Sequence, residues 1–257
     1  MEIFIICLAA FLTAILTFFS GFGLGTILAP VFAIFFPIDV AIALTGVVHF
    51  STNLFKIILV GKKADKPVLL KFGIPAILAS FAGAWLLLKI NALPSFFQYQ
   101  IGTHAHYITP VKVVIAVILI LFSVSEITPS FQKIQFAGNK LVLGGILSGF
   151  FGGLSGIQGA IRSAFLINSG LSKESYIATG VVIACLIDFT RLSVYATRFT
   201  SSNLSNNIWL LFAATAAALA GAIIGKNLLK KVTLRIIQYL VGVMLILISI
   251  ALGTGLI

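Results

Sequence analysis

Long apolar runs dominate this sequence and constrain its fold more than any other feature. A helix needs about 20 mostly apolar residues to cross a bilayer. Of the 257 residues, 60% are hydrophobic and only 9% are charged, whereas a soluble domain carries about 25% charged residues. The sequence therefore predicts one integral membrane domain, an all-α polytopic membrane protein with about 8–10 helical segments. The apolar stretches are Ile3–Pro37, Val40–Val60, Pro67–Leu88, Val111–Ile127, Leu141–Gly170, Ser175–Thr197, Ile208–Leu229 and Leu234–Leu252.

Two of these stretches are too long for one straight crossing, and each contains a glycine-rich interruption. The first is Gly21-Phe-Gly-Leu-Gly25 and the second is Gly152-Gly-Leu-Ser-Gly-Ile-Gln-Gly159. An interrupted helix is costly in lipid unless its backbone faces protein or a watery cavity. Paired interruptions in two halves of a chain indicate the binding site of a transporter. The alternative is that the glycines only permit close helix packing.

The two interruptions occupy corresponding places in two halves of the chain. The string Thr45-Gly-Val-Val48 recurs as Thr179-Gly-Val-Val182. We therefore predict two pseudo-symmetric repeats, residues 1–133 and 134–257, each beginning with a glycine-broken helical hairpin. A long loop at residues 89–110 has no counterpart of similar length in the second repeat.

The distribution of basic residues favours inverted repeats. If each long stretch is a helical hairpin, eleven of the fourteen bases outside the helices lie on one side of the membrane; if each is one bent crossing, the bases split seven and seven. Only the hairpin arrangement gathers Lys and Arg on the cytoplasmic side, as membrane proteins do. We therefore expect both termini to be non-cytoplasmic. The net charge of +11 then reflects orientation and contact with anionic lipid, not nucleic acid.

Polar and ionisable side chains at membrane depth are functional candidates because placing them there is expensive. His49 and Asn53 share a helix face, and so do Asp188 and Arg191. A guanidinium such as that of Arg162, near the positive end of a half-helix, suits an oxyanion. His49 and Asp188 are candidates for carrying a coupling ion. The predicted substrate-binding residues are Gly21, Phe22, Gly23, Gly25, His49, Asn53, Ser155, Gly156, Gln158, Gly159, Arg162, Asp188 and Arg191.

Structural explanations for the same residues stay open at this point. Asp188 and Arg191 can form a salt bridge within one helix, His49 can be a hydrogen-bonded packing residue, and Arg162 can reach an interface. The cysteines, Cys7 and Cys185, lie in apolar runs and are expected to be buried hydrophobes. His104 and His106, in the long loop, form too weak a pattern for a metal site. We expect no metal and no cofactor.

The segment Ser20-Gly-Phe-Gly-Leu-Gly-Thr-Ile-Leu-Ala-Pro30, repeated weakly at Leu154–Gly159, resembles the glycine motif of the TauE/SafE family. These are small prokaryotic membrane proteins with two homologous halves, associated with export of sulfite and organosulfonates. The resemblance covers essentially the whole chain and implies a multi-pass protein of the prokaryotic inner membrane that carries small sulfur-containing anions. The second motif departs from the family's pattern, because Ala164 stands where a proline is usual.

Together these observations predict a secondary-active exporter of sulfite or organosulfonates, coupled to H⁺ or Na⁺. Its expected partners are the small anionic substrate and the lipid bilayer, and the sequence is compatible with a homo-oligomer. A passive anion channel and a carrier of carboxylates are the open alternatives. An intramembrane enzyme is disfavoured, because only Asp188 is a carboxylate clearly within the membrane and no nucleophile–base pair accompanies it.

Overall fold

The computed structural model describes residues 2–20, 24–128, 130, 136, 138–201, 208–228 and 234–257. Within these ranges the chain forms ten helices and one β-hairpin. A π-helical turn at Leu69–Gly73 lies inside the fourth helix. The helices are α1 Glu2–Ser20, α2 Leu24–Ala33, α3 Ile38–Val60, α4 Lys66–Asn91, α5 Pro110–Ile127, α6 Leu141–Ser155, α7 Gly159–Leu166, α8 Lys173–Ser201, α9 Ile208–Leu228 and α10 Leu234–Gly253.

The helices coincide with the predicted apolar stretches, and the all-α polytopic class is confirmed. Among the described residues, three helical stretches are long and apolar enough to cross a membrane, namely Ile38–Lys63, Lys66–Asn91 and Lys173–Ala196. The second overlong stretch is interrupted where its glycines predicted, and the predicted interruption of the first falls on residues 21–23, outside the described residues. The helix α1 ends at Ser20 before α2 begins at Leu24, and α6 ends at Ser155 before α7 begins at Gly159. Gly21, Phe22, Gly23 and the predicted repeat boundary at residue 133 lie outside the described residues.

The second interrupted segment is a hairpin and not a bent crossing. Phe136, which precedes α6, donates its backbone N–H to the carbonyl of Ala164 near the end of α7, at 3.2 Å. The rings of Phe136 and Phe165 stack with their centroids 4.1 Å apart. Leu141 at the start of α6 also packs in one apolar cluster with Phe165 and Leu166. The chain therefore turns back at the glycine break and returns to the end from which α6 started.

Helices from one half of the chain pack against helices from the other half. Helix α1 lies along α9, and α6 lies along α4, so the first helix of each half packs on a later helix of the other half. Helices α3 and α8 pack against each other. Both carry polar residues that are fully or nearly fully buried. The elements that hold these polar residues are thus enclosed by apolar helices.

Glycines set the distance between α4 and α6. A Cβ atom at Gly145, Gly149 or Gly153 of α6 would overlap a backbone carbonyl of α4, and a Cβ at Gly83 of α4 would overlap the carbonyl of Phe150. Small residues allow helix backbones to approach closely, which is the main source of attraction between helices in lipid. This row of glycines therefore fixes α6, and with it the break that follows α6, against α4.

The connection between α4 and α5 is ordered as a β-hairpin, where the sequence interpretation expected a solvated loop. Strand β1 (Phe97–Ile101) pairs antiparallel with β2 (His104–Ile108). The hairpin is attached to the C-terminal residues, because the Tyr99 hydroxyl donates to the carbonyl of Thr254 at 2.6 Å and His106 Nδ1 lies 3.2 Å from the carbonyl oxygen of Gly255. The C-terminus therefore lies at the same end of the molecule as this hairpin.

Candidate functional site

The break between α6 and α7 is formed by a left-handed glycine. Gly156 has φ +81°, and its N–H donates to the carbonyl of Gly152 at 3.0 Å. This is a common way to end a helix, and it favours glycine because other residues are strained there. The Ser148 hydroxyl donates to the carbonyl of Gln158 at 3.1 Å and so fastens the far side of the break to α6. Gly156, Gln158 and Gly159 are all buried.

The two glycine-rich segments, which are far apart in the sequence, meet at this point. A Cβ atom at Gly25, in the first turn of α2, would lie 2.9 Å from the carbonyl oxygen of Gly156 and 3.7 Å from the Thr45 methyl group. Thr45 belongs to α3, so α2, α3 and the break after α6 converge. All ten residues of α2 are buried. The convergence is therefore enclosed by protein, the condition under which broken helices are tolerated at membrane depth.

The Asp188 carboxylate joins the helices around this point. Its Oδ2 lies 2.6 Å from His49 Nδ1, and its Oδ1 accepts hydrogen bonds from Arg191 Nε at 2.9 Å and Gln158 Nε2 at 3.1 Å. Asp188 is completely buried. His49 lies halfway along the 23-residue helix α3, about 17 Å from either end at 1.5 Å per residue. The cluster therefore sits near the middle of a bilayer-sized helix.

Two neighbouring side chains hold the His49 ring. The Asp188 carboxylate lies against Nδ1, and the Asn53 Nδ2 amide lies 3.3 Å from Nδ1 and 3.2 Å from Nε2. Because the amide is almost equally distant from the two ring nitrogens, it positions the ring without selecting one tautomer. Beside the ring, the Asp188 carboxylate pairs with the Arg191 guanidinium.

Arg191 is fully buried but only partly satisfied. Its Nη2 lies 2.9 Å from Asp188 Oδ1 without the alignment of a hydrogen bond. Neither Nη1 nor Nη2 has a hydrogen-bond partner in the described part of the chain. Cβ atoms at Gly46 and Gly156 would lie 3.3 Å from Nη2 and 2.9 Å from Nη1. The guanidinium is thus held between two glycines. Its two Nη groups have no hydrogen-bond acceptor among the described residues.

Thr45 provides a second unsatisfied donor at the same place. Its hydroxyl is buried and has no hydrogen-bond partner among the described residues. Thr179, its counterpart in the recurring Thr-Gly-Val-Val string, accepts a hydrogen bond from the backbone N–H of Asp65 at 2.9 Å. Buried hydroxyls are usually paired, and an exception calls for an explanation. Among the described residues, the buried side-chain polar atoms without a hydrogen-bond partner therefore belong to Arg191 and Thr45.

Comparison with known proteins decides the identity of this fold. A profile of the sulfite exporter TauE/SafE family matches residues 6–252. The chain belongs to that family. No curated protein and no solved structure gives a match. The resemblance seen in the glycine motif is thereby confirmed, and the buried cluster lies within a multi-pass membrane transporter of the sulfite or sulfonate exporter type.

In this family member, Arg162 lies beside Gln158, on the α7 side of the Asp188 cluster. Its Nη1 donates to Gln158 Oε1 at 3.2 Å, and Gln158 Nε2 in turn donates to Asp188 Oδ1 at 3.1 Å. A Cβ atom at Gly180 would lie 3.5 Å from its Nε. The side chain is half-buried, whereas that of Arg191 is fully buried. Arg162 therefore supports the cluster from the α7 side.

The predicted site residue Ser155 has a partner within its own helix. The Ser155 hydroxyl donates to the carbonyl of Phe151 at 2.9 Å and stabilises the last turn of α6. Within the described ranges, no group of three or more His, Cys, Asp or Glu side chains is placed to hold a metal ion. Sequence reasoning used Gly46 and Thr45 as evidence of a repeat and did not include them in the site. The recurrence of Thr-Gly in two polar helices was the signal that could have identified them.

Proposed function

We propose that this protein exports sulfite or organosulfonates by secondary-active transport across a prokaryotic inner membrane, and that the anion binds to Arg191 and Thr45 where the two glycine breaks meet. The observation that carries the proposal is the set of donors on Arg191 and Thr45 that no described residue satisfies. Leaving a buried donor unpaired costs about 1–3 kcal/mol, more if the group is charged. An oxyanion that accepts hydrogen bonds from these donors would remove that cost, which supports a binding site here.

The geometry of the donors suits an oxyanion with several oxygens. The two Nη groups present parallel N–H bonds that match two oxygens of a sulfonate, sulfite or carboxylate. The first turn of α2 contains Gly25, which lies beside the same point. The amino end of a helix carries a partial positive charge that favours an anion.

The balance of charge at membrane depth also favours an anion. Two cationic side chains lie beside the single Asp188 carboxylate: Arg191 through a direct hydrogen bond, and Arg162 through Gln158. Buried charges in a membrane are expected to be compensated. A bound anion would bring the region closer to neutrality. His49, Asn53, Gln158 and Arg162 would then hold Asp188 and Arg191 in place rather than contact the substrate.

The burial of the site favours a carrier over an open channel. Thr45, Asp188 and Arg191 each have no exposed surface. Ions can pass through a channel only if a continuous path reaches the site from both sides, whereas a carrier encloses its site between openings to either side. The enclosed cluster is what a carrier in its occluded form requires.

Exchanging Thr45 for valine tests the assigned site in proteoliposomes that carry out sulfonate efflux. The change removes the hydroxyl and keeps the shape, so we expect unchanged or slightly higher thermal stability but an affinity lower by about tenfold, the worth of one good hydrogen bond to a charge. Efflux of a radiolabelled alkanesulfonate and the midpoint of thermal unfolding measure the two effects.

The matched control for this test is Thr179→Val. The Thr179 hydroxyl accepts from Asp65 N–H in the structure, so its loss should lower stability by about 1 kcal/mol and leave sulfonate affinity near the wild-type value. Thr45→Val protein with wild-type affinity would exclude the Thr45 hydroxyl from the site. Wild-type vesicles that move no sulfonate or sulfite would refute the proposed function itself.

We also propose that the two halves are inverted repeats with both termini on the non-cytoplasmic side. Six bases cluster at one end of the molecule, where α4, α6 and α8 begin: Lys62, Lys63, Lys66, Lys71, Lys140 and Lys173. Lys89 and Lys112 flank the β-hairpin at the other end, together with the C-terminal residues. The positive-inside tendency therefore favours a cytoplasmic basic end. Lys133, Lys230 and Lys231 lie outside the described residues.

A reporter fused to the C-terminus tests this orientation. Alkaline phosphatase, which is active only outside the cytoplasm, should be active after Ile257, and a fluorescent protein that folds in the cytoplasm should be dark there. A fusion of the same two reporters after Ala64, at the basic end, should give the opposite pair of signals. A cytoplasmic signal at Ile257 would rule out the proposed orientation.

A further inference from the structure

Helix α10 ends beside the second turn of α5. A Cβ atom at Gly242 of α10 would meet the Ile127 side chain at the end of α5, and a Cβ atom at Gly253 would lie 3.1 Å from the Ala116 methyl group. The two helices are therefore antiparallel, and Gly253 is level with Ala116. Ala116 is six residues from Pro110, the first residue of α5, or about 9 Å at 1.5 Å per residue. The residues after Gly253 thus lie beside the first two turns of an apolar helix.

The β-hairpin between α4 and α5 rests on those residues. The Tyr99 hydroxyl, in the middle of β1, donates to the carbonyl of Thr254, and His106, opposite it in β2, lies 3.2 Å from the carbonyl oxygen of Gly255. A Cβ atom at Gly255 would lie 2.6 Å from the carbonyl oxygen of Tyr107, so the two backbones are in contact. The hairpin therefore folds back from the start of α5 to the level at which α10 ends. The ends of membrane helices lie at the level of the lipid headgroups, and the hairpin lies there with them.

One face of the hairpin points toward the membrane. Successive side chains of a strand point to opposite faces, so Phe97 and Ile101 share the face of Tyr99, whose hydroxyl reaches the end of α10. Phe97 is 61% exposed and Ile101 is 53% exposed, so most of their surface is not covered by the described part of the chain. Gln98 and Gln100 occupy the opposite face and are also exposed. The strand is therefore amphipathic, with apolar side chains toward the lipid and amides toward water.

Positive charge lies at the base of the hairpin. Lys112 Nζ donates to the carbonyl of Tyr107 at 3.4 Å, and Lys89 Nζ lies 5.4 Å from the centre of the Trp85 ring. Residues 66–125 contain no Asp or Glu, so this part of the chain is purely basic. Tyr and Trp are enriched where membrane meets water. Lysine side chains there keep their stems in apolar surroundings and extend their amines to the headgroups, where the phosphates of the lipids provide the complementary charge.

We infer that the β-hairpin is a lipid anchor, in which Phe97 and Ile101 insert among the lipids of the adjacent leaflet and Lys89 and Lys112 contact lipid phosphates. The anchor is independent of the proposed function and of which leaflet lies at this end. Because the hairpin is hydrogen-bonded to the residues that follow α10, it sets the depth of α5 and α10 in the bilayer. A second copy of the chain is the competing occupant of the same face.

Tryptophan fluorescence in vesicles tests the anchor. The changes Trp85→Phe and Trp209→Phe remove both native tryptophans, and both side chains are exposed in the structure. In this background, Ile101→Trp reports on the face toward the membrane, and Gln100→Trp, on the opposite face of the same strand, is the matched control. Each full-length protein is reconstituted in phosphatidylcholine and phosphatidylglycerol vesicles, with or without acyl chains brominated close to the headgroup. We expect Ile101→Trp emission to lie at shorter wavelength and to lose most of its intensity in brominated lipid.

The control should behave in the opposite way. Gln100→Trp emission should lie at longer wavelength, lose intensity to acrylamide in the water and change little in brominated lipid. Acrylamide quenching of Ile101→Trp as strong as that of Gln100→Trp would place the hairpin in water and overturn the inference. Short-wavelength Ile101→Trp emission that brominated lipid does not quench would place this face against protein, such as a second copy, and would overturn it too. Phe97→Trp is a second reporter on the same face, and it decides if Ile101→Trp does not fold.

Discussion

Arg191→Gln protein is expected to lose sulfonate transport almost completely, with affinity lower by at least about 30-fold. Removing one partner from a buried, hydrogen-bonded charge pair costs about 2–5 kcal/mol, and each 1.4 kcal/mol is a factor of about ten. The substrate anion would face Asp188 without the guanidinium that now neutralises it. Binding of methanesulfonate to detergent-purified protein and efflux from proteoliposomes measure the loss.

A loss of function in Arg191→Gln must be separated from a loss of folding. The single change leaves Asp188 buried beside fewer partners, and breaking a buried ion pair destabilises by about 3–5 kcal/mol. The double variant Asp188→Asn/Arg191→Gln removes both charges and should recover most of that stability. It should still fail to bind the anion. Recovery of binding in the double variant would show that the guanidinium is structural and does not contact substrate.

The same assay ranks the two arginines near the second break. Arg162 is half-buried and donates to Gln158 instead of pointing at the meeting of the glycine segments. Arg162→Gln should therefore weaken binding only several-fold, through a less well held Asp188. A loss from Arg162→Gln equal to or larger than the loss from Arg191→Gln would reverse the assignment of the anchor.

Gly149→Ala is expected to prevent stable folding, although it adds a single methyl group. The new Cβ would overlap the carbonyl oxygen of Ala76 and lie within 2.7 Å of the carbonyl carbon and Cα of that residue. Backbone atoms cannot move aside as a side chain can, so α4 and α6 would have to separate. Overpacking of a core usually costs about 1–3 kcal/mol, and separation of two helices along a glycine row should cost more. The profile of detergent-solubilised protein on size exclusion, with its thermal midpoint, measures the effect.

Gly73→Ala is the matched control for this prediction. Its Cβ would lie 3.5 Å from the end of the Leu186 side chain, an ordinary contact with a group that can adjust. The variant should therefore behave as the wild-type protein does on size exclusion. Monodisperse Gly149→Ala protein with a wild-type thermal midpoint would show that the close approach of α4 and α6 is not required.

The β-hairpin between α4 and α5 shows why one element was not predicted. Apolar residues alternate along Phe97, Tyr99 and Ile101, which is a strand signal, but the surrounding sequence is short and set between two membrane helices. The strands are held in part by contacts with Thr254 and Gly255, which are about 150 residues away. Local patterns carry no information about such distant partners.

For the same reason, the sequence could not decide whether Arg162 or Arg191 is the anchor for the anion. The sequence could place both side chains at membrane depth, because depth follows from position along an apolar helix. It could not reveal that the Arg191 guanidinium packs directly against Gly46 and Gly156, or that Gln158 accepts a hydrogen bond from Arg162. Those contacts depend on which faces of α3, α6 and α8 meet.

The membrane-embedded helical class, the positions of the helices and the glycine break after α6 were determined by the sequence alone, because apolar length and glycine content act locally on the chain in a lipid solvent. The relation of the two repeats is still a prediction from spacing and charge. Only the tertiary structure brought Gly25 beside Gly156 and left Arg191 and Thr45 with donors that have no partner among the described residues. The physical reason is that hydrogen bonds between helices depend on packing angles and register. These are set by the close approach of small residues across the whole bundle.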